Sequence, residues 1–543
     1  MSSAQRSPST SAPSRSIDEV ATVTDRTIPA LLDDAAARYG DRTWLRTDHT
    51  EITFRGAREQ IRSVAQALTA AGVRRGDLVV LTARNEPRYL LTILAATTLG
   101  ATAVPTNPRG TEAELAGLLT QVRGHARVIV TDDGLISMVR RAKASAGAGA
   151  EIIDVDAIVS DRPSLEAQPP SIPGGSPVRE TDVAIMIPTS GTTGRSKLVM
   201  QTHRAYTMAG EGFPYWMQLS TVDRLMTSLP LFHTNALAYS TMGSLTCGAG
   251  LILLPRFSAS GFLDSARRHG ATSFNAIGAM FEFLMDQAPR PDDSDSPLEN
   301  CYCAPAPPKH RHLEIERRFG ISIVCGYGMS ESLYGMSWRP GTRPFGTLGE
   351  PRQHPTLGEV NSARVVDSAG HAVAKGQIGE LLLSNPTVTP GYYGLPDETA
   401  AAVRDGWLHT GDLVTENTDG TYTFVARQKE VIRRRGENLS PAEVEEALLA
   451  HPDVDECAVV GVNAGQSEEE IKAYVRLVDG SDELPQELAT WVSQRLAAFK
   501  VPRYWQFVTE LPYTPTGRVA KHQLPVDGYQ YDLAPMRGTG TLT

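Results

Sequence analysis

The 543-residue chain has few cysteines, no long apolar run and no excess of positive charge. Its five cysteines are scattered and form no CxxC pair, so we predict neither a disulfide framework nor a zinc site, and a reducing cytoplasm fits best. No apolar run reaches the roughly 18 residues of a membrane span, and the N-terminus lacks the apolar core of a signal peptide. The 52 basic and 62 acidic residues give a formal net charge of −10, which argues against nucleic acid as the main partner.

The apolar residues that are present follow a strand–helix–strand rhythm. LVVLT (78–82) and ATAVP (101–105) are typical of buried strands, and the segment from Glu86 to Leu99 between them is typical of a helix. Similar runs at VIV (128–130), VAIMI (183–187) and LILLP (251–255) extend the pattern. We therefore predict an α/β fold with mostly parallel, helix-covered sheets. After Glu359, short strand-like pieces broken by turn residues predict a small β-rich subdomain.

Composition divides the chain into four parts. Residues 1–20 are rich in Ser and Pro and predict a disordered leader, whereas residues 21–428 form the large N-terminal domain. A charged run precedes a compact region, so we place a domain boundary near Lys429 and a smaller α+β domain at 429–526, followed by a tail at 527–543. In LSPAEVEEALL, Ser440, Pro441 and Glu443 predict a helix start with a capping box.

The loop PTSGTTGRSK (188–197) follows the predicted strand VAIMI and alternates hydroxyls with glycines before a lysine. Such a loop can wrap backbone N–H groups and hydroxyls around a polyphosphate. It is not a Walker A loop, because Ser196 rather than glycine precedes Lys197. Taken alone, the pattern also fits a solvent-exposed turn. The interpretation as a nucleotide-binding loop therefore depends on the segments that follow.

Four further segments follow this loop in a fixed order: YGMSES (327–332), WLHTGDL (407–413), RQKEVIRRRGENLSPAEVE (427–445) and PTGRVAK (515–521). With them the chain resembles the adenylate-forming superfamily from about residue 26 to 525. Within it, LPLFHTNALAYS (229–240) and RFSASGF (256–262) are most similar to small-acid CoA ligases, including the crotonobetaine/carnitine-CoA ligase group. The resemblance implies a large N-terminal domain and a mobile C-terminal domain that rotates about a hinge near Lys429.

The resemblance also implies which residues bind ATP. The β- and γ-phosphates would be held by Thr189, Ser190, Gly191, Thr192, Thr193, Gly194 and Lys197. Gly326 and Tyr327 would lie at the adenine, with Tyr327 stacking on the base. Asp412 would accept the ribose hydroxyls beside Arg427, and a carboxylate with a guanidinium is a suitable pair for fixing a sugar.

The remaining implied residues concern the reaction itself. Ser330 stands where the family usually has Thr at the α-phosphate, and Glu331 would bind Mg²⁺. His233 would lie near the carboxylate and the thiol tunnel, although a lone histidine is as often structural. Gly436, after three arginines, would line the tunnel of the CoA pantetheine, whereas the arginines themselves fit a solvated face equally well. Cys303 would either narrow the acid pocket or be an inert small hydrophobe.

One catalytic position departs from the family pattern. Most relatives have a lysine that bridges the carboxylate and the α-phosphate, whereas this chain has Arg518, and the nearest lysine is Lys521. Arginine keeps the charge but is bulkier and planar, so the exchange is not neutral in a tight site. Either Arg518 or Lys521 would take the catalytic role.

The function implied by the resemblance is ATP-dependent ligation of a small carboxylic acid to CoA through an acyl-AMP, with ATP, Mg²⁺ and CoA required. Two alternatives stay open: adenylation for another acceptor (an amine, a carrier protein, or nitrite activated to diazotise an aromatic amine), and an inactive nucleotide-binding protein. The acid is not named by the sequence. Its pocket would be lined by His233, Asn235, Ile277, Gly278, Cys303, Met329 and Tyr334.

Overall fold

The computed structural model describes residues 25–158, 177–189, 196–434, 437–463, 469–513 and 519–533. The predicted leader lies outside these ranges, as do most of the phosphate-loop positions, Gly436 and Arg518. Within the described ranges, no helix combines the length and the apolarity needed to cross a membrane.

The helices of the described ranges are, in chain order, α1 (Ile28–Tyr39), α2 (Phe54–Ala70), α3 (Pro87–Thr98), α4 (Glu112–Gln121), α5 (Ile136–Ala146), α6 (Val155–Ile158), α7 (His203–Met217), α8 (Met242–Cys247), α9 (Phe262–His269), α10 (Gly278–Met285), α11 (Lys309–Phe319), α12 (Pro396–Ala402), α13 (Pro441–Leu449) and α14 (Pro485–Ser493).

The strands of the same ranges are β1 (Thr43–Arg46), β2 (Glu51–Thr53), β3 (Leu78–Thr82), β4 (Thr102–Pro105), β5 (Ala126–Thr131), β6 (Glu151–Asp154), β7 (Val183–Thr189), β8 (Lys197–Thr202), β9 (Arg224–Thr227), β10 (Gly250–Leu253), β11 (Ser273–Ala276), β12 (Asn300–Cys303), β13 (Ser322–Met329), β14 (Ser332–Ser337), β15 (Glu350–Pro351), β16 (Ser362–Val366), β17 (Ile378–Ser384), β18 (Val403–Arg404), β19 (Trp407–Glu416), β20 (Tyr422–Arg427), β21 (Ile432–Arg434), β22 (Glu437–Leu439), β23 (Val454–Asn463), β24 (Glu469–Leu477), β25 (Tyr504–Phe507) and β26 (Tyr531–Asp532).

Two large sheets form the N-terminal part. One has the strand order β6-β5-β3-β4-β7-β8, in which the first five strands are parallel and β8 folds back antiparallel onto β7. The other has the order β15-β14-β13-β12-β11-β9-β10-β1-β2, with parallel strands from β13 to β1 and antiparallel strands at both edges. The predicted α/β class with mostly parallel sheets is confirmed.

Helix α3 lies in the core that joins the two sheets. Its residues from Tyr89 to Thr98 are all buried, because its leucines, alanines and threonines leave no polar face. The same core cluster contains Val79 of β3 and Leu225 of β9. A helix that is apolar on all sides therefore links the two sheets that carry the site.

The β-rich subdomain predicted after Glu359 is an antiparallel sheet. Strand β19 is its centre, pairing with β17, β18 and β20, and β16 pairs with β17. A separate small core of Val365, Leu381, Leu383 and Val414 fills one face, together with Met336 from β14. That core fixes the position of β19 relative to β13 and β14.

The C-terminal region has its own core, which extends from Ile432 to Trp505. Strands β23 and β24 form a long antiparallel hairpin, β25 runs parallel to β24, and α13 packs on β23. Strand β20 ends at Arg427, a single turn covers Gln428–Glu430, and Ile432 already belongs to the C-terminal core. We therefore propose the domain boundary at this turn.

The predicted start of α13 is confirmed, but its predicted capping box is wrong. Ser440 is the N-cap residue and Pro441 opens the helix, yet the Ser440 side chain makes no capping hydrogen bond. Its hydroxyl instead donates to the carbonyl of Val425 at 2.6 Å, and Glu443 pairs with Lys500 at 2.5 Å. A contact across the boundary engages Ser440, and an ion pair within the C-terminal region engages Glu443; a local pattern reveals neither of these tertiary contacts.

The chain also keeps regular structure beyond the predicted tail boundary at residue 527. Strand β26 pairs antiparallel with β25, and Arg503 holds Asp532 through two hydrogen bonds of 2.8 and 3.0 Å. Residues 534–543 lie outside the described ranges. The tail therefore contributes an edge strand, because a short strand next to an existing sheet gains its pairing without needing apolar periodicity.

Acid should destabilise the N-terminal core through His203. This histidine is fully buried, its Nδ1 accepts a hydrogen bond from the Ile28 amide at 3.2 Å, and burial lowers its pKa from 6.5 to about 4. Between pH 6.5 and 4 the unfolded chain binds a proton that the folded chain does not, so the free energy of unfolding falls with pH by up to roughly 1.4 kcal/mol per unit. In urea unfolding, we expect His203→Gln to flatten the slope of unfolding free energy against pH. The control His49→Gln, at an exposed position, should leave that slope unchanged. Parallel slopes for wild type and His203→Gln would contradict the assignment.

Candidate active site

Three sheets meet at one turn between β13 and β14. Ser330 and Glu331 form this turn, at the carboxyl end of β13, where ligands of parallel sheets commonly bind. The hairpin of β7 and β8 brings Thr189 opposite Lys197, and the hairpin of β19 and β20 brings Asp412 opposite Arg427. The Ser330–Glu331 turn therefore lies between Lys197 from one sheet and the Asp412–Arg427 ion pair from another.

Asp412 is held between a phenol and a guanidinium. Its side chain is fully buried; Tyr327 donates to Oδ2 at 2.5 Å, and Arg427 Nε lies 2.7 Å from Oδ1. Burial first, and then the Asp412 charge, raise the pKa of Tyr327 well above its usual value, so the phenol keeps the proton that it donates. Three of the four residues predicted at the adenine and the ribose are thus in direct contact.

Local backbone geometry places the Asp412 carboxylate in the sheet interior. Gly411 has φ of +68°, a conformation that side chains other than glycine rarely adopt, and its amide donates to Glu380 at 3.1 Å. The Asp412 amide in turn donates to the Thr410 hydroxyl at 3.1 Å. Asp412 is therefore a buried strand residue whose position is fixed by its neighbours.

Glu331 is held by a tyrosine that the sequence analysis did not single out. Tyr392 donates from its hydroxyl to Glu331 Oε1 at 2.9 Å, and Lys197 Nζ lies 4.7 Å from the centre of the Tyr392 ring. Burial raises the pKa of Glu331, whereas the Tyr392 hydrogen bond and the charges of Arg427 and Lys197 oppose that rise. Tyr392 thus links the predicted metal ligand to the predicted phosphate-binding lysine.

Backbone pairing fixes Tyr392 at this position. Val199 of β8 bridges to Tyr392, the Met200 amide donates to Gly391 at 3.0 Å, and the Thr389 amide donates to the carbonyl of Glu331 at 2.7 Å. The segment 389–392 therefore touches both β8 and the Ser330–Glu331 turn. An aromatic residue directly after a Pro-Gly turn was the available signal, since such a turn sets the direction of the next side chain.

Ser330 and Thr189 each make a hydrogen bond that holds them near the turn and the β7–β8 hairpin. The Ser330 carbonyl accepts from the side chain of buried Gln201 at 2.6 Å, and the Thr189 hydroxyl donates to the Lys197 carbonyl at 3.3 Å. Gly326 lies on β13, one residue before Tyr327. The predicted loop residues Ser190, Gly191, Thr192, Thr193 and Gly194 lie outside the described ranges.

His233 and Cys303 are both uncharged in this structure. Burial lowers the pKa of His233 to about 4, and its buried Nε2 has no hydrogen-bond partner among the described residues. Burial raises the pKa of the Cys303 thiol, which lies 3.2 Å from the Pro305 carbonyl. His233 therefore presents a neutral imidazole, and Cys303 behaves as a small apolar residue.

Lys521 lies in the C-terminal domain in an ion pair. Its Nζ is 2.6 Å from Glu445 Oε1, an oxygen that also accepts from the Val459 amide at 2.6 Å. Among the three arginines before Gly436, Arg434 is buried, pairs with Glu470 at 2.7 Å and donates to the Phe499 carbonyl at 2.6 Å. Arg434 therefore stabilises the C-terminal fold and is not part of a solvated face.

The combination of two helix-covered sheets, a β-rich subdomain and a small C-terminal unit is the architecture of adenylate-forming enzymes. A model of the AMP-binding enzyme family matches residues 32–393, and a model of the AMP-binding enzyme C-terminal domain matches residues 443–518. The chain therefore belongs to the AMP-binding enzyme family, and it is an ATP-dependent, AMP-forming acid–thiol ligase.

Curated relatives cover nearly the whole chain. The chain is 32% identical to the sulfoacetate–CoA ligase of Cupriavidus necator, over 92% of this chain and 97% of that protein. It is 30% identical to the crotonobetaine/carnitine–CoA ligase of Salmonella typhimurium, over 91% and 98% of the two chains. The resemblance to small-acid CoA ligases is thus confirmed.

Solved structures agree with this assignment. The anthranilate CoA ligase AuaEII in complex with anthranoyl-AMP matches with a TM-score of 0.81 and 26% identity, over 91% of this chain and 96% of that one. ATP-bound MatB from Rhodopseudomonas palustris matches with a TM-score of 0.82 and 26% identity, over 92% and 98%. The fold therefore extends over both domains of these enzymes.

Removing the Tyr392 hydroxyl should weaken the link between Glu331 and Lys197. We expect Tyr392→Phe to raise the KM for ATP in the presence of Mg²⁺ about tenfold with a smaller effect on kcat, because the ring contact with Lys197 stays while the hydrogen bond to Glu331 is lost. Pyrophosphate exchange measures this effect. Tyr393→Phe is the matched control, because Tyr393 lies next in the chain and its ring faces His125 instead; equal KM values for the two variants would refute the positioning role.

Proposed function

We propose that this enzyme activates a small carboxylic acid with ATP, releases pyrophosphate, and transfers the acyl group from AMP to CoA. The observation that carries the proposal is that Asp412 with Tyr327 lies on one side of the turn that contains Glu331, and Lys197, linked to Glu331 through Tyr392, lies on the other. A nucleotide lying across that turn meets a carboxylate for its ribose and a cation for its phosphates. Such a reaction depends on positioning and on neutralising the phosphate charge.

In this proposal, each side chain of the site has a defined task. Asp412 accepts the ribose hydroxyls, Arg427 holds the Asp412 carboxylate, and Tyr327 presents its ring to the adenine. Ser330 lies beside the α-phosphate, and Lys197 meets the outer phosphates. The neutral His233 accepts or donates one hydrogen bond near the acid and carries no charge at neutral pH, because burial keeps its pKa at about 4.

Glu331 fits a magnesium ligand. Glu331 Oε1 accepts the Tyr392 hydroxyl, the residue's own backbone N–H also contacts the carboxylate, and no ion pair among the described residues occupies it. Mg²⁺ prefers one or two carboxylates together with phosphate oxygens and waters. Mg²⁺ bound by Glu331 would supply charge neutralisation at the phosphates, and Tyr392 holds the carboxylate through its hydrogen bond.

The acyl acceptor is proposed as CoA because the relatives are CoA ligases. The acids in their names are sulfoacetate, crotonobetaine and carnitine, all small and strongly polar. We propose a small acid for this chain as well, and a rotation of the C-terminal domain about the turn at Lys429 between the two half-reactions. A carrier protein is the alternative acceptor.

The test is mass spectrometry of the enzyme incubated with ATP, Mg²⁺, CoA and a pool of small carboxylic acids. Formation of AMP together with a new acyl-CoA mass is the expected result. AMP without any acyl-CoA would replace CoA by another acceptor, and adding nitrite with an aromatic amine, or a phosphopantetheinylated carrier protein, distinguishes these cases. No AMP under any condition would contradict the proposed enzyme activity.

A further inference from the structure

Five polar side chains form a ring beneath the strand that carries Tyr327. Asn275 donates to Asn235 at 2.5 Å, and Asn275 and Tyr302 are neighbours on the same face of the parallel strands β11 and β12. Arg352 donates to the hydroxyl of Tyr302 and, at 2.6 Å, to that of Tyr239. Tyr239 lies one turn after Asn235 in the helical segment Asn235–Thr241, which closes the ring.

Arg352 is the unusual member of this ring. Its side chain is 2% exposed and lies against the faces of Trp216, Tyr239 and Tyr302, with distances of 4.6, 5.0 and 5.3 Å to the ring centres. Among the described residues no carboxylate lies within ion-pair distance of the guanidinium; its hydrogen bonds go to two phenols and to the Leu333 carbonyl at 3.3 Å. A buried charge without a counter-charge is costly, so such groups are normally paired.

Several hydrogen-bonding positions of the ring are unused. The Nε of Arg352 and the Oδ1 of Asn275 are buried and have no partner among the described residues. The Tyr302 hydroxyl accepts from Arg352, and no described group accepts its own proton. Buried polar groups are nearly always satisfied, so these positions require a further partner, which a bound water or a ligand supplies.

The ring packs against the backbone of β13, the strand that carries Tyr327. A Cβ added to Gly326 would lie 2.6 Å from Arg352 Nη2 and 2.7 Å from the Tyr302 hydroxyl, and one added to Gly328 would lie 3.0 Å from the Tyr239 hydroxyl. Only glycines at these positions allow the guanidinium and the phenols to approach the strand between Tyr327 and Ser330. The guanidinium therefore packs against the part of β13 that leads to Ser330, the residue placed beside the α-phosphate in the proposed reaction.

We propose that this ring is the specificity-determining subsite of the enzyme and that it selects a small acid with a second anionic group, a carboxylate or a sulfonate. The inference rests on the proposed function and adds the substrate class to it. The second anion supplies the missing counter-charge of Arg352 and accepts the Tyr302 proton, while the first carboxylate stays free to attack the α-phosphate. An acid with one anionic group leaves the buried guanidinium uncompensated and is rejected.

Matched acids test the proposal. Pyrophosphate exchange and acyl-CoA formation are measured for malonate and sulfoacetate against propionate, succinate against butyrate, and phthalate against benzoate. We expect kcat/KM of the preferred dianion to exceed that of its monoanionic partner at least about 100-fold. Comparison of malonate with sulfoacetate separates a carboxylate from a sulfonate. Equal or better activity with the monoanions, or no exchange with any dianion, overturns the inference.

Variants separate recognition from structure. Arg352→Met should lower the ratio of dianion to monoanion kcat/KM at least about 50-fold, mainly through KM, and Tyr302→Phe, which removes a single hydroxyl, should lower it about tenfold. The control is Arg58→Met, since Arg58 is also buried but is paired with Asp33 at 2.6 Å. Its ratio should stay at the wild-type value. If kcat/KM falls equally for both acids in the Arg352 and Tyr302 variants, the ring has a structural role only.

The same measurements test the anion subsite separately from the CoA-ligase activity on which it rests. Acyl-CoA formed with any acid supports the proposed function, whichever member of a pair is preferred. Acyl-CoA formed with monoanions alone refutes the subsite and leaves the ligase proposal standing. Exchange of pyrophosphate with a dianion but no thioester supports the subsite and refutes CoA as the acceptor.

Discussion

Replacing Asp412 by asparagine is expected to lower the rate of adenylate formation about 100- to 1000-fold. The substitution keeps the shape of the side chain but removes the charge that orients Arg427 at 2.7 Å and that receives the Tyr327 hydroxyl at 2.5 Å. An amide also presents donors where the site needs only acceptors for two hydroxyls. Pyrophosphate exchange with a saturating acid measures the loss, because it reports the first half-reaction alone.

The control for Asp412 lies in the same hairpin. Asp419, in the turn after β19, accepts from the amide and the hydroxyl of Thr421 and is remote from Tyr327. Asp419→Asn should therefore leave exchange within about twofold of wild type, as surface substitutions usually do. Circular dichroism and the melting temperature show whether Asp412→Asn still folds, and Tyr327→Phe, which removes only the phenol hydroxyl, gives a milder second test. A folded Asp412→Asn enzyme with wild-type exchange would remove Asp412 from the ribose site.

The sequence predicted the fold well where one face or both faces of an element are buried. LVVLT, VAIMI and the helix between Glu86 and Leu99 appear as β3, β7 and α3 within one or two residues, because continuous apolar runs have few alternatives to a buried sheet or helix. The edge strand β26 was missed, since edge pairing and the ion pair of Asp532 with Arg503 leave no periodicity in the sequence.

The candidate site was predictable where a motif carries its own geometry. Tyr327, Ser330 and Glu331 are consecutive or nearly so, and the hairpin register that joins Asp412 to Arg427 follows from two adjacent strands. Tyr392 and Arg352 were not predicted, because each reaches the site from a separate segment through tertiary contacts alone. The Pro-Gly turn before Tyr392 sets the direction of its side chain but does not identify its partner, and the single arginine in EPRQH has no local pattern that separates a buried residue from a surface one.

A second large effect is expected at the position where the family lysine is replaced. We expect Arg518→Ala to lower adenylate formation at least about 100-fold and Arg518→Lys to retain or improve it, because the position needs a cation between the carboxylate and the α-phosphate. Residue 518 lies outside the described ranges, so the prediction rests on the motif PTGRVAK. Equal exchange rates for all three residues would show that the position takes no part.

Lys521 is the competing candidate, and its contacts argue against it. The Nζ of Lys521 is 2.6 Å from Glu445 Oε1, and this oxygen also accepts a hydrogen bond from the Val459 amide. Moving Lys521 to a reaction centre would therefore break this ion pair and leave Glu445 without its cation. Lys521→Ala should therefore reduce the melting temperature of the C-terminal domain and change exchange less than about fivefold. Lys500→Ala is the matched control, since Lys500 pairs with Glu443 of the same helix at 2.5 Å. A loss of exchange with Lys521→Ala that Lys500→Ala does not share would assign the catalytic cation to Lys521, and a loss with Arg518→Ala alone would assign it to the arginine.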